Sequence, residues 1–228
     1  LLQKQGEEFD RCISAVTIKE TYFFREPAYL TLLTQRVIPD MLKRKQTVTI
    51  LSAGCSTGAE PYSIAIALHE LYGQQVLERC RITGMDVDPE ALRKARSGVY
   101  SPYTLRGMSD RRRDRYFTNR DDRFYQLIPE IRSTVSFQRV NLLDQGSMAR
   151  LEPPDIILYR NVSIYFDMDR RIQVFSSLAD RLSSGGVLVT GASETLAHDI
   201  GVLALAADEG LFYFTHHAGE GPAEPAEM

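Results

Sequence analysis

The fold is decided by the stretch Thr49-Ile50-Leu51-Ser52-Ala53-Gly54-Cys55-Ser56-Thr57-Gly58-Ala59-Glu60-Pro61-Tyr62-Ser63. An apolar, β-branched run of strand type leads into a turn of small residues with two glycines, and a helical pattern opens at Glu60-Pro61. Proline fits the start of a helix, where its missing N–H leaves no bond unmade. Glycine has no Cβ and tolerates positive φ, so the backbone of such a turn can come close to a ligand. The stretch predicts a strand, a binding turn and a helix.

The turn does not match the two common nucleotide-binding loops. Gly54 and Gly58 have three residues between them, which is not the G-x-G-x-x-G pattern, and no lysine follows Gly58 as a phosphate loop requires. The carboxylate of Glu60 at the exit of the turn suits a positively charged ligand better than a polyphosphate. S-adenosylmethionine, which carries a sulfonium and an amino group, is such a ligand. The alternative is a plain strand-to-helix turn that binds nothing.

The composition is that of an ordinary globular chain. Its 228 residues suffice for one large domain, alone or with a small subdomain. The net charge of −3 gives no general attraction to nucleic acid or membranes, and no apolar run resembles a membrane span or a signal peptide. Three cysteines without C-x-x-C spacing and four scattered histidines predict neither a disulfide framework nor a metal site. We therefore expect a cytoplasmic protein that inserts into no membrane and binds no nucleic acid.

The order of patterns along the chain predicts one main domain at 17–217. Residues 1–16 resemble the remnant of an N-terminal helical region, and 218–228 have the composition of a disordered tail or linker. Strands alternate with helices, which predicts an α/β fold with a doubly wound, mostly parallel sheet covered on both faces. Residues 98–136 break this alternation and predict a small β-subdomain excursion.

Two helical patterns predict which side chains reach the core. Ile64, Leu68 and Leu71 share one face of the helix that follows the glycine turn. Asp167 is the expected N-cap of a later helix, whose inward face includes Ile172. Both patterns place the apolar face of a helix against the sheet.

Residues suited to ligand binding follow four predicted strands: Gly54, Asp86, Asn141 and Arg160-Asn161. Open α/β sheets bind ligands at the carboxyl ends of their strands. An acid at the tip of the second strand of a βαβ unit can accept hydrogen bonds from two ribose hydroxyls, and we predict this role for Asp86. The alternative is that Asp86 only supports the helix N-cap beside Asp88.

The excursion is rich in charge. Between residues 106 and 123, seven arginines (Arg106, Arg111, Arg112, Arg113, Arg115, Arg120 and Arg123) are interleaved with four aspartates (Asp110, Asp114, Asp121 and Asp122). Most such runs are solvated faces. As a functional feature, the excess of positive charge would suit an acidic protein partner.

Together these residues resemble the chemotaxis-receptor methyltransferases, the CheR type of protein-glutamate O-methyltransferase. The resemblance covers residues 17 to about 214. It rests on motifs in the family's order: Thr21-Tyr22-Phe23-Phe24-Arg25, the turn Ala53–Ser63, Asp86-Val87-Asp88, Asn141-Leu142-Leu143, Arg160-Asn161-Val162-Ser163-Ile164-Tyr165-Phe166 and Gly191-Ala192-Ser193-Glu194. It implies a methyltransferase sheet whose last hairpin is antiparallel. It also implies S-adenosylmethionine as donor, S-adenosylhomocysteine as product, and glutamates on the cytoplasmic helices of methyl-accepting chemoreceptors as acceptors.

The resemblance also implies the site. With Gly54 of the turn, the positions expected to contact the cofactor are Thr21, Arg25, Glu60, Asp86, Asn141, Leu142, Arg160 and Asn161. Those of Arg25 and Tyr165 are expected beside the transferring methyl group. This chain departs from the family at Lys19, where asparagine is common, and in having almost none of the basic N-terminal helical domain. Thr118 to Gln126 contains no glycine, so we do not expect the tether by which some members grip a receptor's C-terminal pentapeptide.

Residue chemistry leaves several roles open. The guanidinium of Arg25 can clamp a carboxylate bidentately, whether that of the acceptor or that of the cofactor; the alternative is a surface ion pair with Glu26. Tyr165 can orient an oxygen or touch the sulfonium, or it can be a core aromatic. Glu60 suits the cofactor's positive charge or the helix dipole. Asn141 suits the adenine edge or a turn cap.

Three other functions compete with this interpretation. One is a non-catalytic S-adenosylmethionine-binding module that regulates a partner, which the presence of Arg25 and Tyr165 disfavours. Another is a methyltransferase of the same fold with a different acceptor; the absence of a basic stripe disfavours nucleic acid. A nicotinamide dehydrogenase is the weakest, because the G-x-G-x-x-G fingerprint is missing.

Overall fold

The computed structural model describes residues 6–121, 123–148 and 151–217. Of Glu7, Leu196 and Ala197 only the backbone is described. The predicted tail at 218–228 and the first five residues of the chain lie outside these ranges.

The described chain alternates strands and helices. The strands are β1 (Val48–Ala53), β2 (Cys80–Asp86), β3 (Val99–Tyr100), β4 (Phe117–Asp121), β5 (Phe124–Leu127), β6 (Val135–Arg139), β7 (Ile156–Tyr159), β8 (Val187–Thr190), β9 (Ala204–Asp208) and β10 (Leu211–Thr215). The helices are α1 (Glu7–Val16), α2 (Pro27–Leu32), α3 (Ile38–Leu42), α4 (Ala59–Tyr72), α5 (Gln74–Leu77), α6 (Pro89–Ser97), α7 (Asp110–Tyr116), α8 (Pro129–Arg132), α9 (Gln145–Met148) and α10 (Met168–Ala179). A π-helical turn (Leu33–Val37) joins α2 to α3, and short 3₁₀ turns occupy Ser163–Tyr165 and Thr195–His198.

The main sheet has seven strands in the order β6-β2-β1-β7-β8-β10-β9. The first five are parallel, and β10 runs antiparallel to both β8 and β9. The predicted doubly wound, mostly parallel sheet is therefore confirmed, and the last hairpin is antiparallel as the resemblance implied. The strand order reverses direction beside β1, so the end of the glycine-turn strand lies at the topological switch point.

The central strands are buried on both faces, as parallel strands covered by helices must be. Every residue of β7 and β8 is buried. Side chains alternate between two cores, because successive residues of a strand point to opposite faces. Ile50 and Leu158 belong to one core, whereas Leu51 and Ile157 belong to the other.

Two predicted core positions are wrong. Ile64 and Leu68 are fully buried in α4, but Leu71 is exposed, since it lies in the last turn of the helix. Asp167 caps α10 as predicted, its side chain accepting from the N–H of Arg170. Ile172 of that helix is nevertheless exposed. A regular helical period describes the middle of a helix better than the turns that extend past the sheet.

Residues 98–136 contain a second, three-stranded antiparallel sheet in the order β3-β5-β4. Its aromatic residues pack against the segment that precedes α2. The ring of Phe23 meets Tyr100 and Phe117 edge to face, with centroids 4.9 and 5.2 Å away, and the N–H of Phe23 donates to the carbonyl of Thr104 at 3.0 Å. The second sheet thus supports residues 20–25 from one side.

The chain just upstream, at residues 14–19, is held by the carboxylate of Asp88, which is 1% exposed. This carboxylate caps α6 by accepting from the N–H groups of Glu90 and Ala91, and it also accepts from the hydroxyls of Ser14 and Thr17. The ammonium of Lys19 lies 3.3 Å away. Burial alone would raise the pKa of Asp88, but these hydrogen bonds lower it to about 2. One carboxylate therefore joins α1 and the following segment to α6.

No helix within the described ranges combines the length and apolar character that a membrane span requires.

We predict that Asp88→Asn lowers the free energy of unfolding at pH 7 by about 2 kcal/mol, because asparagine still caps α6 but loses the charge that holds α1. The folded pKa of Asp88, about 2, lies below its unfolded value near 3.9. Its contribution is therefore complete above pH 4 and lost as the pH falls toward 2. Urea unfolding between pH 2 and 7 measures the difference between wild type and variant.

The matched control is Ser14→Ala, which removes one of the hydroxyl donors to Asp88 and leaves the carboxylate in place. A smaller loss is expected for this variant. If Asp88→Asn and wild type lose stability in parallel from pH 4 to 2, the assigned role of the carboxylate is wrong.

Candidate functional site

A cavity of about 450 Å³ opens at the carboxyl ends of β1, β2, β6 and β7. This volume is in the range of roughly 300–1,000 Å³ usual for small-molecule sites. All the predicted site residues line it: Thr21, Arg25, Gly54, Glu60, Asp86, Asn141, Leu142, Arg160, Asn161 and Tyr165. Because β6, β2, β1 and β7 are neighbours in the sheet, residues separated by more than 100 positions in sequence meet at one edge.

The glycine turn forms the floor of the cavity. Gly54 has φ +82°, and a Cβ at this position would overlap the side chain of Val162. The N–H groups of Gly54 and Cys55 both donate to the carbonyl of Met85, at 2.8 and 2.9 Å, so the turn is fastened to the end of β2. Only glycine allows both the positive φ and this close approach.

Strained backbone is concentrated around the cavity. Five described non-glycine residues have positive φ, and four of them (Phe24, Glu26, Ser56 and Asn161) lie in or beside its wall. Each such residue costs on the order of 1–3 kcal/mol and persists only where its surroundings impose it. Backbone outliers of this kind cluster at functional sites.

A buried ion-pair network lies under the cavity wall. The guanidinium of Arg160, whose side chain is 5% exposed, contacts Glu60 at 2.9 Å and Glu26 at 3.1 Å. It also donates to the backbone carbonyl of Arg25 at 3.3 Å. Burial alone would lower the pKa of Arg160, but the two carboxylates raise it above its usual value. Arg160 therefore stays charged and ties three parts of the chain together.

Both carboxylate oxygens of Glu60 are hydrogen-bonded within the protein, which the sequence did not indicate. One carboxylate oxygen accepts from the hydroxyl of Ser52 at 2.7 Å, and the other accepts from Arg160. Each oxygen has a further lone pair, so the carboxylate can also face a positively charged ligand. The charged side chains that line the cavity are the carboxylates of Glu20, Glu60 and Asp86 and the guanidiniums of Arg25 and Arg160, which gives the lining a formal net charge of −1.

Asp86 supports the turn and the helix start and also lines the cavity. Its carboxylate accepts from the N–H of Ser56 at 2.7 Å and from the N–H of Asp88 at 2.9 Å. It therefore supports the turn and the helix start while lining the cavity. Burial raises the pKa of Asp86, and these backbone donors oppose the rise. The lone pairs that remain are the acceptors available to a ribose.

Arg25 forms no ion pair with any carboxylate in the described part of the chain. Among the described residues, its guanidinium makes one long hydrogen bond, 3.4 Å, to the carbonyl of Glu20. The alternative pairing with Glu26 is wrong, because Glu26 pairs with Arg160. The guanidinium of Arg25 is thus available to a carboxylate that enters the cavity.

The remaining predicted residues lie at the rim. Tyr165 is 51% exposed at the mouth, so it is not a core aromatic. The side-chain oxygen of Asn141 accepts from the N–H of Leu143 at 3.0 Å, which is the predicted turn cap and leaves the amide N–H₂ for another partner. Leu142 is buried beside it.

Two arginines of the charged run, which the sequence suggested for an acidic protein partner, instead make contacts within the protein beside the site. Arg106 is stacked between the rings of Tyr22 and Tyr103, at 3.9 and 3.8 Å, and pairs with Glu20. Similarly, Arg112 makes a bidentate ion pair with Glu70 and lies 4.1 Å from the ring of Phe24. These two arginines are therefore occupied in holding residues 20–25. The sequence feature that could have indicated these contacts is the presence of aromatic and acidic residues near an arginine-rich run.

Lys19 and Cys55 are structural. Lys19 pairs with Asp88 and Glu90, and these partners raise its pKa against the effect of burial. Burial raises the pKa of the Cys55 thiol well above its usual value, which disfavours the reactive thiolate. In the described ranges no group of three or more His, Cys, Asp or Glu side chains could hold a metal ion.

The sheet, the glycine turn and the cavity at the strand ends define a ligand-binding α/β protein. A family model described as CheR methyltransferase, SAM binding domain, matches residues 19–207. The chain therefore belongs to the CheR methyltransferase family and is an S-adenosylmethionine-dependent methyltransferase.

Its curated relatives carry related names. The chain is 36% identical to chemotaxis protein methyltransferase 2 of Vibrio cholerae, over 86% of this chain and 68% of the relative. It is 36% identical to chemotaxis protein methyltransferase 1 of Pseudomonas aeruginosa, over 85% of this chain and 72% of the relative. It is 33% identical to the probable biofilm formation methyltransferase WspC of Pseudomonas putida, over 99% of this chain and 54% of the relative.

The cavity fits S-adenosylmethionine. That molecule carries a net charge of +1 at neutral pH, which complements the net charge of the surrounding side chains. A buried hydroxyl without a partner, that of Ser56, adds a polar group at the turn. When bound, the cofactor supplies a methyl group on a sulfonium leaving group. We propose that Asp86 holds its ribose, that Glu60 faces its positive end and that Asn141 reaches its adenine.

We predict that Asp86→Asn weakens binding of S-adenosylhomocysteine by roughly thirtyfold, which corresponds to the loss of charge-assisted hydrogen bonds worth about 2 kcal/mol. Isothermal titration calorimetry measures the dissociation constant. Asp155→Asn is the matched control, because Asp155 is a buried carboxylate that does not line the cavity. An unchanged constant in Asp86→Asn, with the control also unchanged, would exclude the ribose role.

Proposed function

We propose that this protein transfers the methyl group of S-adenosylmethionine to glutamate carboxylates of methyl-accepting chemoreceptors, forming glutamyl methyl esters. The names of its relatives support a role in chemotaxis. The observation that carries the choice of acceptor is Arg25, a guanidinium that lines the cavity and pairs with no carboxylate of the described chain. An acceptor that carries its own carboxylate satisfies this group.

The proposed reaction needs little acid–base catalysis. A glutamate with an unperturbed pKa of roughly 4.3 is already ionised at neutral pH and is a sufficient nucleophile for a sulfonium-bound methyl group. The protein has to align oxygen, carbon and sulfur, and alignment can contribute up to roughly 7–11 kcal/mol. No described residue has to act as a base.

Arg25 and Tyr165 divide the work of alignment in this proposal. Arg25 holds a carboxylate through two parallel N–H donors. Tyr165, half-exposed at the mouth, places its hydroxyl where it can donate to the acceptor oxygen, or its ring against the sulfonium. Residues 17–217 form the methyltransferase domain in this assignment, and 98–136 its docking excursion.

A second output is favoured by one comparison. WspC of Pseudomonas putida aligns with 99% of this chain and is named for biofilm formation. The same methyl transfer to a receptor-like protein could therefore serve attachment to surfaces. Deleting the gene and measuring swimming in soft agar beside attachment to glass separates the two outputs.

The chemistry is tested by transfer of labelled methyl groups to membranes that contain chemoreceptors. Glutamyl methyl esters hydrolyse in alkali and release volatile methanol, whereas N-methyl groups remain on the protein. We expect base-labile label in the receptor band. Label that resists alkali would indicate another acceptor atom. Cofactor binding without any label would favour the non-catalytic regulatory module.

In this assay we predict that Arg25→Ala lowers methyl transfer at least a hundredfold, because the acceptor carboxylate loses both hydrogen bonds that orient it. Binding of S-adenosylhomocysteine should remain measurable by calorimetry. Arg36→Ala is the matched control, since Arg36 pairs with Asp208 and does not line the cavity. Turnover equal to wild type in Arg25→Ala would remove Arg25 from the mechanism.

The docking role of the excursion is proposed for its exposed arginines. Arg112 is unsuitable as a probe, because it pairs with Glu70 inside the protein. Arg120 and Arg123 are exposed on the β4–β5 hairpin. Their positive charge suits the acidic surface of a helix that presents several glutamates.

We predict that Arg120→Glu combined with Arg123→Glu raises the KM for receptor membranes at least fivefold, through repulsion of an acidic partner. The KM for S-adenosylmethionine should stay unchanged, since neither residue lines the cavity. Arg81→Glu, an exposed arginine on the main sheet, is the control. Equal KM values for wild type, the double variant and Arg81→Glu would exclude the docking role.

A further inference from the structure

A buried carboxylate outside the predicted site holds the loop that follows β7. Glu194 is 2% exposed. It forms no ion pair with any arginine, lysine or histidine of the described chain. Such a buried charge is tolerated only when it is fully hydrogen-bonded. Here the carboxylate accepts from three backbone N–H groups and one hydroxyl.

Four donors converge on Glu194. One oxygen accepts from the N–H and the hydroxyl of Ser163, at 2.9 and 2.6 Å. The other accepts from the N–H of Asn161 and from the N–H of Gly191, the latter at 3.1 Å. Three of these four donors, one from Asn161 and two from Ser163, belong to the loop that connects β7 to α10.

This loop carries three of the proposed site residues: Arg160, Asn161 and Tyr165. Asn161 has φ +59°, a conformation that asparagine adopts only at a cost. Its N–H is held by Glu194. The 3₁₀ turn that carries Tyr165 begins at Ser163, the other residue that Glu194 holds. The carboxylate thus imposes the strained conformation and sets the start of the turn at the cavity mouth.

Glu194 is itself fixed from behind. A Cβ at Gly191 would overlap the carboxylate of Glu194, so glycine is required for its approach. The carbonyl of Glu194 accepts from Nδ1 of His198 at 2.8 Å. The imidazole of His198 is packed against Phe175 and Tyr159, with centroids 5.0 and 5.6 Å away. The carboxylate is therefore held in place by residues of the core.

We propose that Glu194 is a positioning residue for methyl transfer: through the N–H groups of Asn161 and Ser163 it holds the loop in the conformation that binds the cofactor and presents Tyr165. The inference rests on the proposed site, because it acts through Asn161 and Tyr165. Glu194 does not line the cavity, so its effect on the site passes through the loop.

The test variant is Glu194→Gln, which keeps the shape of the side chain. An amide has one acceptor oxygen and one N–H₂ group, so at least one of the loop N–H groups then faces another donor. The loop therefore loses the carboxylate that holds its conformation, and no cavity is created. We expect binding of S-adenosylhomocysteine to weaken roughly tenfold or more, because an orphaned N–H lets the strained loop relax.

Asp155→Asn provides the matched control. Asp155 is also a buried carboxylate that holds backbone, accepting from the N–H of Thr49 at 2.9 Å, from the hydroxyl of Ser183 and from Lys45. It precedes β7, whereas the cavity lies beyond the end of that strand. We expect Asp155→Asn to lower the midpoint of thermal unfolding and to leave the dissociation constant of S-adenosylhomocysteine within twofold of wild type.

Binding is measured by calorimetry at a temperature at which all variants are fully folded, as judged by circular dichroism. A wild-type constant in Glu194→Gln overturns the proposal. A constant weakened equally in Asp155→Asn also overturns it, because the effect is then one of general stability. Failure of base-labile methyl transfer in wild type would refute the proposed acceptor chemistry but would not change this binding result.

If Glu194→Gln does not fold, Ser163→Ala tests the same network more gently. That variant removes one of the four donors and retains the three N–H groups. We expect a two- to fivefold weaker binding of S-adenosylhomocysteine and a larger loss in kcat, since Ser163 begins the turn that carries Tyr165. No change in either quantity overturns the proposal.

Discussion

The site depends on one buried interaction, the placement of the Arg160 guanidinium between Glu60 and Glu26. The guanidinium of Arg160 is buried and the two carboxylates are partly exposed. Removing a carboxylate is destabilising because it leaves the buried guanidinium without one of its partners. Arg160 follows β7, Glu60 lies in the first turn of α4, and Glu26 precedes α2. The network therefore closes the cavity by holding the segment before α2 against the strand ends. Glu26, which pairs with Arg160 in this network, has a left-handed backbone conformation.

The parts of this arrangement that are local in sequence could be predicted. Gly54 and Asp86 follow apolar runs, and parallel strands bring their carboxyl ends to one edge, so the sequence located both residues at the cavity. The pairing of Arg160 with Glu26 could not be predicted, because 134 positions separate them and several acids were available. The same limitation explains the incorrect alternative for Arg25, which assumed that the nearest acid in sequence is the partner. Ile172 and Leu71 were misplaced for another reason: helical periodicity does not show how far the sheet extends beneath a helix.

The cavity wall combines rigid support with strained backbone. Phe24, Glu26, Ser56 and Asn161 all have positive φ, and the backbone N–H of three of them donates to a side-chain acceptor. The N–H of Phe24 donates to the hydroxyl of Ser63, that of Ser56 to Asp86, and that of Asn161 to Glu194. Side-chain acceptors from α4, from the end of β2 and from the turn after β8 thus fix irregular backbone that sequence propensity disfavours. Such acceptors are hard to recognise in a sequence, because a sequence does not show whether an acidic residue is buried or exposed.

The wall of the cavity is built partly from chain that lies upstream of the whole sheet. Ile13, Val16, Thr17 and Ile18 all line it, although none belongs to a strand. The hydroxyls of Ser14, in α1, and of Thr17, just after it, donate to Asp88. Val16 and Ile18, at the same junction, are exposed. A protease that cuts at this junction would leave the sheet and its two cores intact. The product would be a folded protein whose ligand exchanges faster than in the uncut chain, so folding and ligand retention are separable by a single peptide bond.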